Sequence, residues 1–311
     1  MSTIPRTAPS VTAVVATHGR GELLRRALRS IAAQQYDGPL EIVVVFDQGP
    51  IDPLDDLRPE LPAALTLTVC GNDRSPGLAG ARNSGIARAT GDLVAFCDDD
   101  DEWTPHKLTA QVALWRERPE AAMIACGISI VTQEGTTDRR PPTLTTRADL
   151  LRSRVGELHP SSFLFRRTDL LSLPGGVDEA IPFGYGEDYD FLLRVTERGP
   201  IASVPHELVI VHWDRDSYFA GRWGRMAEGL SYLVSKHPDL LEDGRNAARM
   251  CGQVAFAYAA AGESAAARTW TRRTLVRRPL EPRAWLALLT MTHLISPQLT
   301  IAALNRRGRG V

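Results

Sequence analysis

The sequence predicts an α/β protein built on a mainly parallel central sheet, followed by an α-helical extension at the C-terminal end. Three observations carry that expectation. Through the first hundred residues, short apolar runs rich in Val and Ile alternate with segments of helical period. From about Arg222 the pattern turns helical only, in Ala-rich stretches broken by Gly262-Glu263 and by Pro282. At 311 residues with 43% hydrophobic and 23% charged side chains, the chain can bury more than one core, and this composition excludes disordered, collagen-like and disulfide-scaffold classes. A division into residues 1–221 and 222–311 follows.

Val11 to Thr17 (VTAVVAT) is a short β-branched run, and after Gly19-Arg20-Gly21 the spacing of Leu24, Leu28 and Ile31 predicts a helix. Leu40 to Phe46 (LEIVVVF) repeats the pattern of a strand buried on both faces, and Leu65 to Cys70 is a third strand. Leu78 to Ala89 reads as helix, Gly91 breaks it, and Leu93 to Cys97 is again a buried strand. Further on, a helix over Pro105 to Arg118, a strand over Ala121 to Val131, a polar loop holding Pro141-Pro142, a strand over Ser162 to Phe165 and a helix over Asp188 to Glu197 are expected. The extension reads as packed antiparallel helices over 245–261, 264–278 and 283–295, each too short to be stable alone. In sheets of this kind ligands bind beyond the carboxyl ends of the strands, so the residues after each strand are the first candidates for chemistry.

Four cysteines, Cys70, Cys97, Cys126 and Cys251, are far apart with no CxxC pair, which points away from zinc and from a secreted disulfide framework. No apolar export segment follows the start, no run of about 18 apolar residues occurs, and a cytoplasmic location is expected. The net charge of −1 gives no reason to expect nucleic acid as a partner, but it conceals an imbalance. From residue 268 onward there are nine arginines against the single acid Glu281, so the preceding part is correspondingly acidic. A solvated helix face accounts for such a segment; docking of the basic helices, with Trp270 and Trp285, on an anionic membrane surface or a protein is the alternative.

The strongest chemical signal is Asp98-Asp99-Asp100-Asp101, directly after the apolar run LVAFC and before Glu102-Trp103. Four acids at the end of a buried strand repel one another unless a cation or hydrogen-bond donors compensate, and oxygen ligands suit Mg²⁺ or Mn²⁺. A solvated, helix-capping turn is the plainer reading, and the strand-end position argues against it. Glu187-Asp188 open an amphipathic helix, where acids are also favoured by the helix dipole. His212 ends the run LVIVH near Arg215, Asp47 stands at the tip of EIVVVF, and Arg82-Asn83 lie in the Gly-rich stretch GLAGARNSG, which suits an anion.

Taken together and in this order, these residues resemble a family 2 glycosyltransferase of the GT-A, nucleotide-diphospho-sugar-binding fold, over about Val11 to Ser217. Ala16-Thr17-His18-Gly19-Arg20 is similar to the family's motif at the first strand end. Phe46-Asp47 keeps the second of its paired acids, Ala81-Arg82-Asn83 matches its Ala-Arg-Asn, and Asp98 to Trp103 matches Asp-x-Asp followed by Asp-x-Trp. Glu187-Asp188 matches its late Glu-Asp pair. In Tyr218 to Trp223 (YFAGRW), Phe219 stands where processive synthases carry Gln, so non-processive transfer is expected.

The resemblance implies inverting transfer of a sugar from a nucleotide-diphospho-sugar, expected to be a UDP-sugar, to an acceptor hydroxyl. Thr17, His18, Arg20, Asp47, Arg82, Asp98 and Asp99 would bind the donor, with Thr17 and Asp47 on the nucleoside and Asp98 on the ribose. Asp100 and His212 would hold Mg²⁺ or Mn²⁺, Asp188 would be the base and Glu187 its orienting partner. Ser161, Ser162, Tyr185 and the 136–146 loop are expected to border the acceptor. Two other functions fit parts of the pattern: a sugar nucleotidyltransferase, which would release pyrophosphate, and an inactive nucleotide-sugar-binding module.

Overall fold

A computed structural model describes residues 8–213 and 221–300; Arg215, Ser217, residues 218–220 of the YFAGRW stretch and Arg306, Arg307 and Arg309 lie outside the described residues. Among the described residues, one compact unit holds those up to Leu150, Arg154–Glu179 and those from Glu187 to the end of the sheet. The other holds the helices from Trp223 onward together with Leu151–Ser153 and Ala180–Gly186.

The first unit is organised by ten strands: β1 (Val11–Thr17), β2 (Leu40–Phe46), β3 (Thr66–Gly71), β4 (Leu93–Asp98), β5 (Glu102–Trp103), β6 (Met123–Thr132), β7 (Gly135–Arg139), β8 (Leu144–Thr145), β9 (Leu164–Arg166) and β10 (Ile201–His212). Their main path runs β3-β2-β1-β4-β9-β6-β10-β5. Strands β3, β2, β1 and β4 are mutually parallel, and the helices between them, α1 (Gly21–Ala32) and α2 (Leu78–Arg88), are the crossovers such pairing needs. Val11, Ala13, Val15, Ile42, Val44, Leu93 and Ala95 are buried on one face and Val14, Val43, Val45 and Val94 on the other, as expected of strands covered on both faces. The short β9 enters antiparallel between β4 and β6, while β6 and β10 pair in parallel with a bulge near Glu207.

The register decides what the sheet can do. Thr17 lies opposite Phe46, Phe46 opposite Gly71, and Ala16 opposite Asp98, so Asp47, Asn72 and the aspartate run all leave the sheet at the same end as Thr17. The antiparallel pairing of β5 with β10, Ile210 opposite Glu102, brings the stretch after the aspartates beside the end of β10. Helix α2 packs directly on these strands because Gly85 has no side chain: a Cβ there would stand 2.3 Å from a methyl of Val14. Behind β4, Phe96, Phe165 and Phe191 stack with ring centroids 5.3–6.0 Å apart, tying α6 (Glu187–Val195) to the sheet.

The expected polar loop with Pro141-Pro142 lies between β7 and β8, and the stretch before it is the hairpin strand β7, exposed at every residue. With no buried face, it carries no alternation to read. The remaining helices of this part are α3 (Lys107–Glu117), α4 (Arg147–Arg152) and α5 (Arg167–Leu171). In the second unit α7 (Trp223–Lys236), α8 (Gly244–Ala260), α9 (Ser264–Arg277) and α10 (Pro282–Met291) pack around buried alanines, among them Ala255, Ala267 and Ala287. No helix among the described residues is long and apolar enough to cross a membrane.

Lys107, at the start of α3, is wholly buried; its Nζ donates to Gln111 Oε1 at 2.9 Å and sits 3.9 Å from the centre of the Trp103 ring. Burial lowers its pKa to about 8. Because the folded state releases this proton more readily than the unfolded chain, Lys107 opposes folding when charged, and this penalty fades as pH rises from about 8 towards about 10.4. Denaturant titrations of wild type and Lys107→Met at pH 7.5 and 10 should therefore differ: relative to the variant, wild type gains stability with pH, by up to about 3 kcal/mol. Parallel pH profiles would contradict a neutralisable buried lysine.

Candidate active site

The site is assembled at the strand ends from the side chains that the parallel register gathers. Asp47, after β2, is buried and already braced: Oδ2 accepts from the Gly77 amide at 3.0 Å and Oδ1 from Asn72 Nδ2 at 2.8 Å. His18 Nδ1 lies 2.7 Å from the Asp47 carbonyl oxygen, holding the ends of β1 and β2 together.

The four aspartates form a tight turn closed by the Asp101 amide donating to the Asp98 carbonyl at 3.2 Å. Their carboxylates alternate, with Asp99 and Asp101 inside (7% and 3% exposed) and Asp98 and Asp100 towards solvent (24% and 31%). The inner pair is held by hydroxyls. Thr17 Oγ1 donates to Asp99 at 2.7 Å, and Ser161 Oγ donates to Asp101 at 2.5 Å. The outer pair meets arginines: Arg82 Nη2 reaches Asp98 at 2.6 Å, while Arg20 pairs with Asp100 and, at 3.1 Å, with Asp99. Burial raises the Asp99 carboxyl, and burial plus its acidic neighbours drive Asp101 well above the usual range. For Asp98 burial acts the same way but is outweighed by Arg82, His159 and Arg20, so its pKa lies below the usual value.

Arg82 is the centre of this arrangement. It projects from α2, is buried, and spans two carboxylates with its two amino groups, Asp98 and Glu187 Oε1, both at 2.6 Å. Burial works against the guanidinium charge; Asp98 and Glu187 more than compensate. Burial also raises Glu187 to about 7 despite Arg82, and its second oxygen is buried without a hydrogen-bond partner. Asp188, the next residue, is paired with Arg154.

Among the described residues, one group has metal-ligand geometry: Asp98, Asp101 and His159 each offer an atom within 4.8 Å of the others. Burial lowers the His159 pKa, so its ring is neutral near pH 7, as a metal ligand must be. Two carboxylates, one of them resisting ionisation, and a neutral imidazole are a donor set that a hard divalent cation would satisfy. Asp100 and His212, the pair expected to bind metal, are not in this group: Asp100 faces Arg20, and His212 Nε2 lies 2.8 Å from Glu102 Oε1. Nothing in the sequence singles out His159, which precedes Pro160 in an irregular stretch where a lone His carries no signal. Ser161 and Ser162 are fully buried; Ser161 braces Asp101, and its hydroxyl also accepts from the Asp98 amide at 3.0 Å, so neither serine borders an acceptor.

Residues 12–173 match the family model described as glycosyl transferase family 2. Over 235 residues, 73% of this chain and 84% of the relative, the sequence is 30% identical to the uncharacterized glycosyltransferase YwdF of Bacillus subtilis. Among solved structures, the mannosyltransferase PcManGT of Pyrobaculum calidifontis, in complex with GDP-Man and Mn²⁺, superposes with a TM-score of 0.57 at 20% identity, covering 96% of this chain and 84% of that one. S. aureus TarS 1–349 in complex with UDP-GlcNAc gives 0.57 at 16% identity, covering 96% and 92%. The fold is therefore that of the GT-A enzymes, and the chain belongs to glycosyl transferase family 2 and is a glycosyltransferase.

Proposed function

We propose that the protein transfers a sugar from a nucleotide-diphospho-sugar to an acceptor hydroxyl with inversion at the anomeric carbon, without processive elongation and with the help of a divalent cation. The observation that carries this reading is the Arg82 bridge, which sets the acidic turn beside the Glu187-Asp188 pair. Asp47 and Thr17 receive the nucleoside, with His18 fixing the Asp47 backbone, and Asp98 takes the ribose or shares the cation. Arg20 is placed to exchange Asp100 for the donor diphosphate. Asp98, Asp101 and His159 are the residues that would hold Mg²⁺ or Mn²⁺, with Asp100 a further ligand once Arg20 lets it go; His212 remains the alternative nitrogen ligand. Such an ion, when bound, offsets the negative charge that grows on the leaving diphosphate.

In the transfer the acceptor oxygen forms its bond to the anomeric carbon as the bond to the diphosphate breaks, and the diphosphate leaves with the electron pair. Asp188 accepts the acceptor's proton, after giving up Arg154. Glu187, fixed by Arg82, orients the turn of helix that carries Asp188. Asp188→Asn should retain nucleotide-sugar binding and lose about a hundredfold or more in turnover; unchanged turnover would remove Asp188 as base. Asp100→Asn should abolish Mn²⁺-dependent binding of UDP in calorimetry. A loss with His159→Gln but not with His212→Gln would identify the nitrogen ligand. Release of nucleoside diphosphate separates transfer from the pyrophosphate-releasing alternative, and absence of both products with any donor would favour an inactive binding module.

The further partner we propose is an anionic membrane surface, met by the basic helices of the second unit. Arg268, Arg272, Arg273 and Arg277 are exposed along α9, and the acid of this segment, Glu281, is buried against Arg283 at 2.8 Å. Val276, Leu280, Trp285, Leu294 and Leu299 are exposed among them, a basic and apolar mixture suited to the headgroup layer. The full chain should sediment with vesicles containing phosphatidylglycerol, be released by salt, and lose binding in Arg268→Glu/Arg272→Glu; equal behaviour with neutral vesicles would reject the membrane.

A further inference from the structure

The loop between β3 and α2 is held by a residue more than a hundred positions away. Glu179 Oε2 accepts from the Ser75 hydroxyl at 2.5 Å and from the Ser75 amide at 3.2 Å, while Oε1 accepts from Asn83 Nδ2 at 2.7 Å and pairs with Arg74. Burial opposes the charge, but these donors outweigh it and hold the carboxyl at about 2, so Glu179 is an anion throughout the useful pH range.

The segment that carries Glu179 is itself fixed. The Asn83 side chain pairs with the Val177 backbone through both amide atoms, Oδ1 accepting at 2.8 Å and Nδ2 donating at 2.7 Å. Gly176 passes there at φ +59°, where a Cβ would stand 2.3 Å from Asn83 Oδ1. On the loop side, Ser75 presses onto α2, since a Cβ at Gly80 would come within 1.9 Å of the Ser75 carbonyl oxygen. That same carbonyl accepts from Asn72 Nδ2 at 2.9 Å, and Asn72 Nδ2 also donates to Asp47. The amide of Gly77, two residues beyond Ser75, donates to Asp47 as well. Two of the three donors that aim the Asp47 carboxylate, Asn72 and Gly77, thus flank the residue that Glu179 clamps, and the third, Gln48, is the chain neighbour of Asp47.

We propose that Glu179 is a positioning residue for donor recognition: by clamping Ser75 and Arg74 it sets the 72–77 loop, and through Asn72 and Gly77 it fixes the orientation of Asp47. The inference rests on the reading of Asp47 as a nucleoside-binding residue. A positioning role of this kind changes how tightly the nucleotide is held and leaves the chemical step alone, whereas a general loss of folded enzyme lowers kcat and leaves KM unchanged.

Calorimetric binding of UDP and of GDP to the full chain with Mn²⁺, combined with metal-dependent donor hydrolysis, tests this with Asp47→Asn, Glu179→Gln and the double variant. Each single variant should weaken the tighter-binding nucleotide by about tenfold, the size of a lost charge-assisted hydrogen bond, and raise KM with kcat unchanged. The double variant should be within about twofold of the weaker single one, because both changes act through one carboxylate. Glu179→Gln binding like wild type while Asp47→Asn is weakened, or losses that multiply, would overturn the clamp alone. Wild-type binding by Asp47→Asn would overturn the nucleoside reading and the clamp with it. Should Glu179→Gln fold poorly, Ser75→Ala removes the hydroxyl donor from the opposite side and should show the same KM shift in smaller measure.

Discussion

The arrangement depends on one buried guanidinium. Arg82 stands between Asp98, at the end of β4, and Glu187, at the start of α6, with 2.6 Å bonds to each. Two carboxylates from segments about ninety residues apart could not be buried this closely without a cation between them, and a planar, two-armed cation fits both at once. The bridge imposes a shared geometry on two parts of the site. It draws charge from the acidic turn, where Asp98 stays readily ionised while Asp101 resists ionisation, and it anchors the helical turn that presents Asp188.

The sheet makes that bridge useful. Parallel pairing in register delivers Thr17, Asp47, Asn72 and the aspartate turn to a common end, and Gly85 lets α2 lie close enough for Arg82 to reach from the helix into it. The turn then sorts four identical residues into two kinds. Asp99 and Asp101 point inward to Thr17 and Ser161, where they hold the turn's shape, and Asp98 and Asp100 remain towards solvent, where arginines occupy them. On the proposed reading only the Arg20–Asp100 pair opens when the donor diphosphate arrives, while Arg82 stays between Asp98 and Glu187.

Much of this was legible in the sequence because the relevant signals are local. The β-branched runs VTAVVAT and LEIVVVF locate strands, and acids, Thr and Arg immediately after them locate the site. What was not legible depends on how distant segments meet. The exposed β7 has no apolar face, so no alternation marks it as a strand. A run of four aspartates has no internal pattern, so which carboxylates turn inward is decided by the turn and by Ser161, some sixty residues on. His159 and Glu179 act through partners remote in sequence, and nothing beside them in the chain marks their neighbours.

The most direct test of the account is Arg82→Lys, which keeps a positive charge but cannot span both carboxylates. Donor turnover and thermal unfolding should be measured together. The variant should fold and melt cooperatively while its turnover falls at least about tenfold, because Asp98 and Glu187 no longer share one rigid partner. Wild-type turnover in a lysine variant would show that charge alone suffices there, and would contradict the bridge as the element that aligns the site.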